Sequence, residues 1–266
     1  MTRSELPFSS AGASRRGYVR ENNEDCYGIA GEWTGQKDVA NKGYLHVVAD
    51  GMGGHAAGQE ASHLAVRRVL EEYYADPSTD IFQSIRDAIS RANAEVWEAA
   101  SSDRELAGMG TTLVAAVVKG SRLYLANVGD SRAYLVRDGE IRQLTRDHSW
   151  VAEQVKAGVL RLEEARQHPF RNVITRSVGA QPAVKVDVFL EELRHGDRVL
   201  LCTDGVSAVL AGRELADLVT SASSAREGVT AIMNQIGASQ GNDDHTALII
   251  ALPGDLATLR SCPPAE

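Results

Sequence analysis

Four aspartates stand in short glycine-flanked runs spread along the chain: Ala49-Asp50-Gly51-Met52-Gly53-Gly54-His55, Val128-Gly129-Asp130-Ser131-Arg132, Cys202-Thr203-Asp204-Gly205 and Gly241-Asn242-Asp243-Asp244-His245. Three of them follow directly on an apolar stretch, Leu45 to Ala49, Leu123 to Val128 and Val199 to Cys202. The fourth opens one, Thr246 to Leu252. Short apolar runs bounded by glycine read as buried strands. Each carboxylate is therefore expected at a strand end, where the backbone is fixed and the side chain reaches into a cleft. A fold that brings such ends together would build a metal site from carboxylates alone. Mg2+ and Mn2+ take oxygen ligands of this kind, whereas zinc sites are built mainly from Cys and His. One Asp-Gly pair is more often a simple turn; the weight lies in the recurrence.

The remaining segments read as follows. A short first strand and the loop Arg20 to Asp25 precede strands at Tyr27 to Ala30 and Tyr44 to Ala49, with a polar hairpin-type loop, Gly31 to Gly43, between them. Apolar residues at helical spacing (Ala61, Leu64, Ala65, Val69, Tyr73, then Ile81, Ile85, Ile89, Ala92, Val96) predict two long amphipathic helices, Ala57 to Tyr74 and Asp80 to Ala100, broken at Pro77. Leu113 to Val118, Arg122 to Asn127, Ala133 to Arg137 and Ile141 to Leu144 predict an antiparallel meander, turning at Lys119-Gly120 and Asp138-Gly139. A polar, partly helical stretch, Ser149 to Gln167, leads to strands at Val184 to Leu190 and Arg198 to Cys202. Helices at Gly212 to Thr220 and Ala225 to Ile236 precede the last strand. Strands grouped around helix pairs, without regular β-α alternation, place the chain in the α+β class with antiparallel sheets. One domain is expected over residues 1–252, with a solvated tail over 253–266.

Composition narrows the function. Lys and Arg number 28 against 36 Asp and Glu, a formal charge of −8, and they are scattered. A nucleic-acid surface needs a basic stripe to displace counterions, so nucleic acid is excluded as a partner. Cys26, Cys202 and Cys262 are too few and too irregular for a disulfide framework or a zinc site, and Cys26 and Cys202 read as small buried apolar residues. There is no amino-terminal apolar h-region and no membrane-length apolar run, so a cytoplasmic protein without membrane contact is expected.

Together with Arg20-Glu21-Asn22-Asn23-Glu24-Asp25, Gly108-Met109-Gly110-Thr111-Thr112, Leu144-Thr145-Arg146-Asp147-His148-Ser149 and His168-Pro169-Phe170-Arg171-Asn172-Val173-Ile174-Thr175-Arg176, the four aspartate motifs give a further result. From about residue 8 to about residue 252 the chain resembles the metal-dependent protein phosphatases, the PPM or type-2C serine/threonine family, in its bacterial form. The resemblance implies two stacked, mainly antiparallel sheets flanked by helices, a four-layer αββα sandwich, with a mobile flap over about residues 149–180. It implies a Mn2+- or Mg2+-dependent hydrolase for phosphoserine and phosphothreonine in proteins, opposing a bacterial serine/threonine kinase. A monomer is expected.

By the same resemblance Asp50 bridges two metal ions, the Gly51 carbonyl ligates the second, and Asp204 with Asp244 completes the first. A residue without Cβ suits the close approach of backbone to an ion. Asp130 matches the position that, with Asp204, holds a third, weaker ion. Glu24 matches a second-metal position reached directly or through water, and Asp25 a hydrogen-bonding support. Arg20 matches the phosphate-binding arginine, whose planar fork takes two phosphate oxygens. Asp243 falls in a non-ligand register, and Gly110-Thr111-Thr112 reads as close packing. Two ions about 3.5–4 Å apart can share a water, lower its pKa and hydrolyse the ester in line, with no phosphoenzyme. Position 52 is Met where eukaryotic members carry a histidine, and position 245 is His where the family has Asn. His55 and His148, in polar loops, read as structural. The alternatives are a non-catalytic phosphoprotein-binding pseudophosphatase and another two-metal phosphohydrolase; the intact aspartates oppose the first, and the acidic surface opposes a nuclease.

Overall fold

The structure is a computed structural model that describes residues 8–30, 39–54 and 56–254. Along the chain it contains β1 (Ser9–Arg15), β2 (Asp25–Ile29), α1 (Val39–Lys42), β3 (Tyr44–Met52), α2 (Ala56–Ala75), α3 (Ile81–Ser102), β4 (Gly110–Thr111), β5 (Leu113–Lys119), β6 (Arg122–Val128), β7 (Arg132–Arg137), β8 (Glu140–Gln143), α4 (Trp150–Lys156), α5 (Leu162–Gln167), β9 (Asp187–Glu192), β10 (Arg198–Cys202), α6 (Asp204–Ser207), α7 (Gly212–Ser221), α8 (Ala225–Ala238) and β11 (His245–Ala251). Most of the loop expected over Gly31 to Gly43, His55, Cys262 and the tail from residue 255 lie outside the described residues. The described end of that loop, Val39–Lys42, is a helical turn.

The strands form two antiparallel sheets, ordered β1-β11-β10-β7-β8 and β2-β3-β5-β6-β9, with β4 pairing β3. Their apolar runs are continuous because both faces of each sheet are covered. Leu45, Val47 and Ala49 of β3 pack under α2 and α3, while Val48 faces the other sheet. Leu248 and Ile250 of β11 join Val48 in that inter-sheet core, and Ala247 and Ile249 pack under α7 and α8. The period of two along each strand sorts residues into three cores, giving the four-layer αββα sandwich. Helix α3 begins where Asp80 caps it, its carboxylate accepting the Gln83 N–H at 3.1 Å. No helix among the described residues is long and apolar enough to cross a membrane.

Two expectations are corrected. The meander is two hairpins in different sheets: β5 and β6 belong with β3, β7 and β8 with β10. The chain changes sheet at Gly129-Asp130-Ser131, where Gly129 has φ +103° and a Cβ would meet the Thr112 Cβ at 2.6 Å. Strand β9 is also displaced toward the carboxyl end. Glu191 continues it, matched by Arg142 at 2.9 Å, whereas Val184 and Val186 pack against the core without joining a ladder.

Candidate functional site

Register carries the aspartates to one end of the sandwich. Asp50 of β3 stands opposite Asp25 of β2. Asp130 precedes β7, Asp204 follows β10 and Asp243 precedes β11, and Cys202 pairs with both Arg132 and Ala247, so these three ends adjoin. The two sheets thus bring their carboxylates to one cleft.

The main chain of Asp50 is held by the glycine-threonine run. Its N–H donates to Thr112 Oγ1 at 3.2 Å, and its carbonyl accepts the Thr112 N–H at 2.9 Å and the Thr111 hydroxyl at 2.8 Å. Gly51 is also required by packing: a Cβ there would lie 2.0 Å from the Gly58 carbonyl oxygen, where the first turn of α2 crosses β3. Glu24 is buried beside the same crossing, and a Cβ on Gly58 would lie 2.2 Å from its Oε2. The Glu24 carbonyl accepts the Gly51 N–H at 3.1 Å and the Ser62 hydroxyl at 2.6 Å. Asp25 takes a supporting place. Its Oδ2 accepts the Thr203 hydroxyl at 2.9 Å, Thr203 Oγ1 accepts the Thr246 N–H at 3.0 Å, and Oδ1 is buried with no partner.

Burial, followed by the charges of Asp25, Asp204, Asp130 and Asp243, pushes the Asp50 carboxyl well above the usual carboxylate range. Burial and the Asp204 charge push Asp130 up to about 7, and burial and the Asp243 charge raise Asp204. Arg132 offers little relief, since it forks onto Asp147 at 2.7–3.1 Å. Such a field of desolvated like charges is stabilised by protons or by cations. Hard divalent cations fit the donor set, which is all oxygen. Among the described residues no three His, Cys, Asp or Glu side chains converge tightly enough to enclose an ion as they stand, so Asp50, Asp130, Asp204 and Asp243 form a shared field and not a closed cage.

Within the last motif the two aspartates divide differently from the expectation. Asp244 Oδ1 accepts the Gly17 N–H and Oδ2 the Glu24 N–H, both at 2.8 Å, so the buried Asp244 ties the loop of Arg20 to β11. Asp243 is the carboxylate whose charge acts on Asp50 and Asp204, and it pairs with Arg20 Nη2 at 2.5 Å. Arg20 is half-exposed at the mouth of the cleft. Met52 pairs with Gly110 and brings no acid. His245 Nδ1 lies 3.2 Å from the Asp243 carbonyl, and His148 Nδ1 accepts the Gly129 N–H at 3.0 Å. Sequence reasoning missed the Asp243 placement and the bonds from Thr112, Thr203 and His148. Period-two alternation before β11 was the available signal, because Thr246 shares the inward side with Asp244.

Residues 33–244 match the family described as Protein phosphatase 2C. The serine/threonine phosphatase stp of Listeria welshimeri is 36% identical over 239 residues, covering 88% of this chain and 92% of that protein. The crystal structure of the serine/threonine phosphatase Stp1 from Staphylococcus aureus superposes with a TM-score of 0.86 at 31% identity, covering 96% of this chain and 98% of that one. The catalytic domain of the serine/threonine protein phosphatase PstP in complex with two manganese ions superposes with a TM-score of 0.79 at 32% identity, covering 92% and 98%. The fold that gathers these aspartates is thus one this chain shares with solved bacterial enzymes, and the chain belongs to the protein phosphatase 2C family as a bacterial-type serine/threonine phosphatase.

Proposed function

We propose that this protein hydrolyses phosphoserine and phosphothreonine in proteins, using Mn2+ or Mg2+ held by Asp50, the Gly51 carbonyl, Asp204 and Asp243, with Glu24 and Asp130 as further ligands. Asp243 replaces Asp244 in this set because Asp244 already serves two backbone donors. Two ions held there, with a third at Asp130 and Asp204, would supply water activation near neutral pH and neutralisation of the phosphoryl charge. The chain's own residues do the rest. Thr111 and Thr112 fix the Asp50 backbone, and Asp244 fixes the loop that presents Arg20. Arg20, paired with Asp243 at the mouth of the cleft, would orient the phosphate through its paired N–H groups. Direct hydrolysis is favoured over a cysteinyl-phosphate route: Cys26 and Cys202 are buried and burial pushes both thiols up to about 12.

Residues 1–252 would act as one catalytic unit with a flap near 149–180. The substrates would be phosphorylated proteins, including targets of a serine/threonine kinase, and the enzyme would act as a cytoplasmic monomer. The observation that carries this reading is the meeting of Asp50, Asp130, Asp204 and Asp243 from both sheets. The test is hydrolysis of a phosphothreonine peptide. Turnover is expected with Mn2+, and none with chelator or in Asp50→Asn. Equal turnover without metal would refute the proposal, and Mn2+ binding without turnover would favour the phosphoprotein-binding alternative.

A further inference from the structure

Residues 149–178 are joined at both ends to the backbone that presents the carboxylates. At the far end Val178 and Thr111 exchange N–H to carbonyl bonds of 2.8 and 2.9 Å. The Thr111 hydroxyl in turn donates to the Asp50 carbonyl. At the near end the joint is the buried His148, through both its main chain and its ring, with Asn127 Nδ2 donating to the Gly129 and Arg146 carbonyls beside it.

The His148 main-chain N–H donates to the Gly129 carbonyl at 3.0 Å, and its Nδ1 accepts the Gly129 N–H at 3.0 Å. Because Nδ1 accepts, the proton of the neutral ring sits on Nε2. Nε2–H faces Asp187 Oδ2 at 3.3 Å, while Arg176 Nη1, itself only a donor, lies 2.9 Å from Nε2 without a hydrogen bond to it in this tautomer. Arg176 Nη1 donates instead to Asp187 Oδ1 at 2.9 Å and to the Lys185 carbonyl at 3.2 Å, so Asp187 joins the ring to Arg176. The His148 carbonyl accepts the Thr175 N–H at 2.9 Å, and Ser149 bridges to Ile174. One nitrogen of this imidazole therefore grips the turn of Asp130, while the other meets the returning end of the 149–178 segment and β9.

The gripped turn has little slack. Gly129 is held at φ +103° with Thr112 filling its Cβ position, and the Thr112 hydroxyl also accepts the Asp50 N–H. A change in the segment at Arg176 thus reaches the Asp130 turn through Asp187 and this ring.

We propose that His148 is a positioning residue for Asp130 that passes the placement of the 149–178 segment to the Asp130 turn; this rests on the reading of Asp130 as a ligand of the weaker divalent cation. Partners one step removed from a metal ligand typically change metal affinity 10–100-fold when removed. The two ring nitrogens can be separated by substitution. Asparagine puts its oxygen near the Nδ1 place and keeps the acceptor for Gly129, losing Arg176 and Asp187. Glutamine puts its polar end near the Nε2 place and does the reverse.

The test is a Mn2+ titration of the full chain by calorimetry, with hydrogen exchange of the Gly129 amide and phosphothreonine-peptide kinetics. His148→Gln is expected to weaken the weakest Mn2+ event about tenfold and to speed Gly129 exchange, with the peptide KM unchanged. His148→Asn is expected to keep both at the parent level while raising KM. If the two variants weaken Mn2+ binding alike, or neither does, or Gly129 exchange fails to separate them, the proposal is overturned. Asp130→Asn must abolish the weak event. If it leaves every event intact, the reading of Asp130 as a ligand fails, which the His148 variants alone would not reveal.

Discussion

Adjacent aspartates in the last motif have separable duties. Asp244→Ala leaves the Gly17 and Glu24 N–H groups buried without acceptors, a change that destabilises by about 1–3 kcal/mol for each group, readable as a lower midpoint in urea. Asp243→Ala removes a like charge from the field of Asp50 and Asp204 but also the Arg20 pair and the acceptor of the Asp244 N–H, so its midpoint should fall less than that of Asp244→Ala, and it should weaken Mn2+ binding. A variant pair with the opposite assignment would restore Asp244 to the ligand set. Local composition cannot distinguish the two, since both are acidic and adjacent in one short polar run. What separates them is which side of the backbone each occupies, fixed by the register Arg15↔His245 and Ser14↔Thr246. Gly51 shows a second constraint that the sequence hides: besides the carbonyl proposed for an ion, its Cβ space is taken by Gly58.

Among the strands and helices, those with strong periodicity could be read almost residue by residue. Asp80 marked the start of α3, Pro77 the break, and the apolar runs of β3, β5, β10 and β11 their own positions. The pairing of β7 could not be read, because a hairpin turn and a change of sheet both need glycine at positive φ. The difference lies in Gly129 having Thr112 of the other hairpin against it. Gly129→Ala forces a Cβ into that contact and a side chain into a strained backbone region. A loss of about 1–3 kcal/mol is expected, checked by urea unfolding, together with weaker Mn2+ binding at the displaced Asp130. The counterpart Gly139→Ala, at φ +79° with open space around it, keeps the backbone strain without the clash and should cost less.

Across the assembled sandwich, the acidic charge of −8 is unevenly placed, with its most desolvated part where the two sheets end together. Carboxyls raised by burial, Asp25 to about 8 and Asp130 to about 7, bind protons more tightly folded than unfolded. Their contribution to stability is present below about pH 4 and is lost as pH rises through 7 to 8. In chelator, the melting temperature should therefore fall between pH 5 and pH 8, and saturating Mn2+ should remove the fall, as scanning calorimetry would show. A melting temperature that rises over that window in chelator would mean that the field is already neutralised by the protein itself. The family and the sheets were accessible from ordered motifs. The charge coupling was not, because it depends on distances between residues as remote in sequence as Asp25 and Asp204.

Titration of the full chain with Mn2+ at pH 7 in two buffers of different ionisation enthalpy measures directly whether these carboxylates await a cation. Binding with net release of protons is predicted, absent or strongly weakened in Asp50→Asn. Tight binding with no proton release, or binding undiminished by Asp50→Asn, would contradict it.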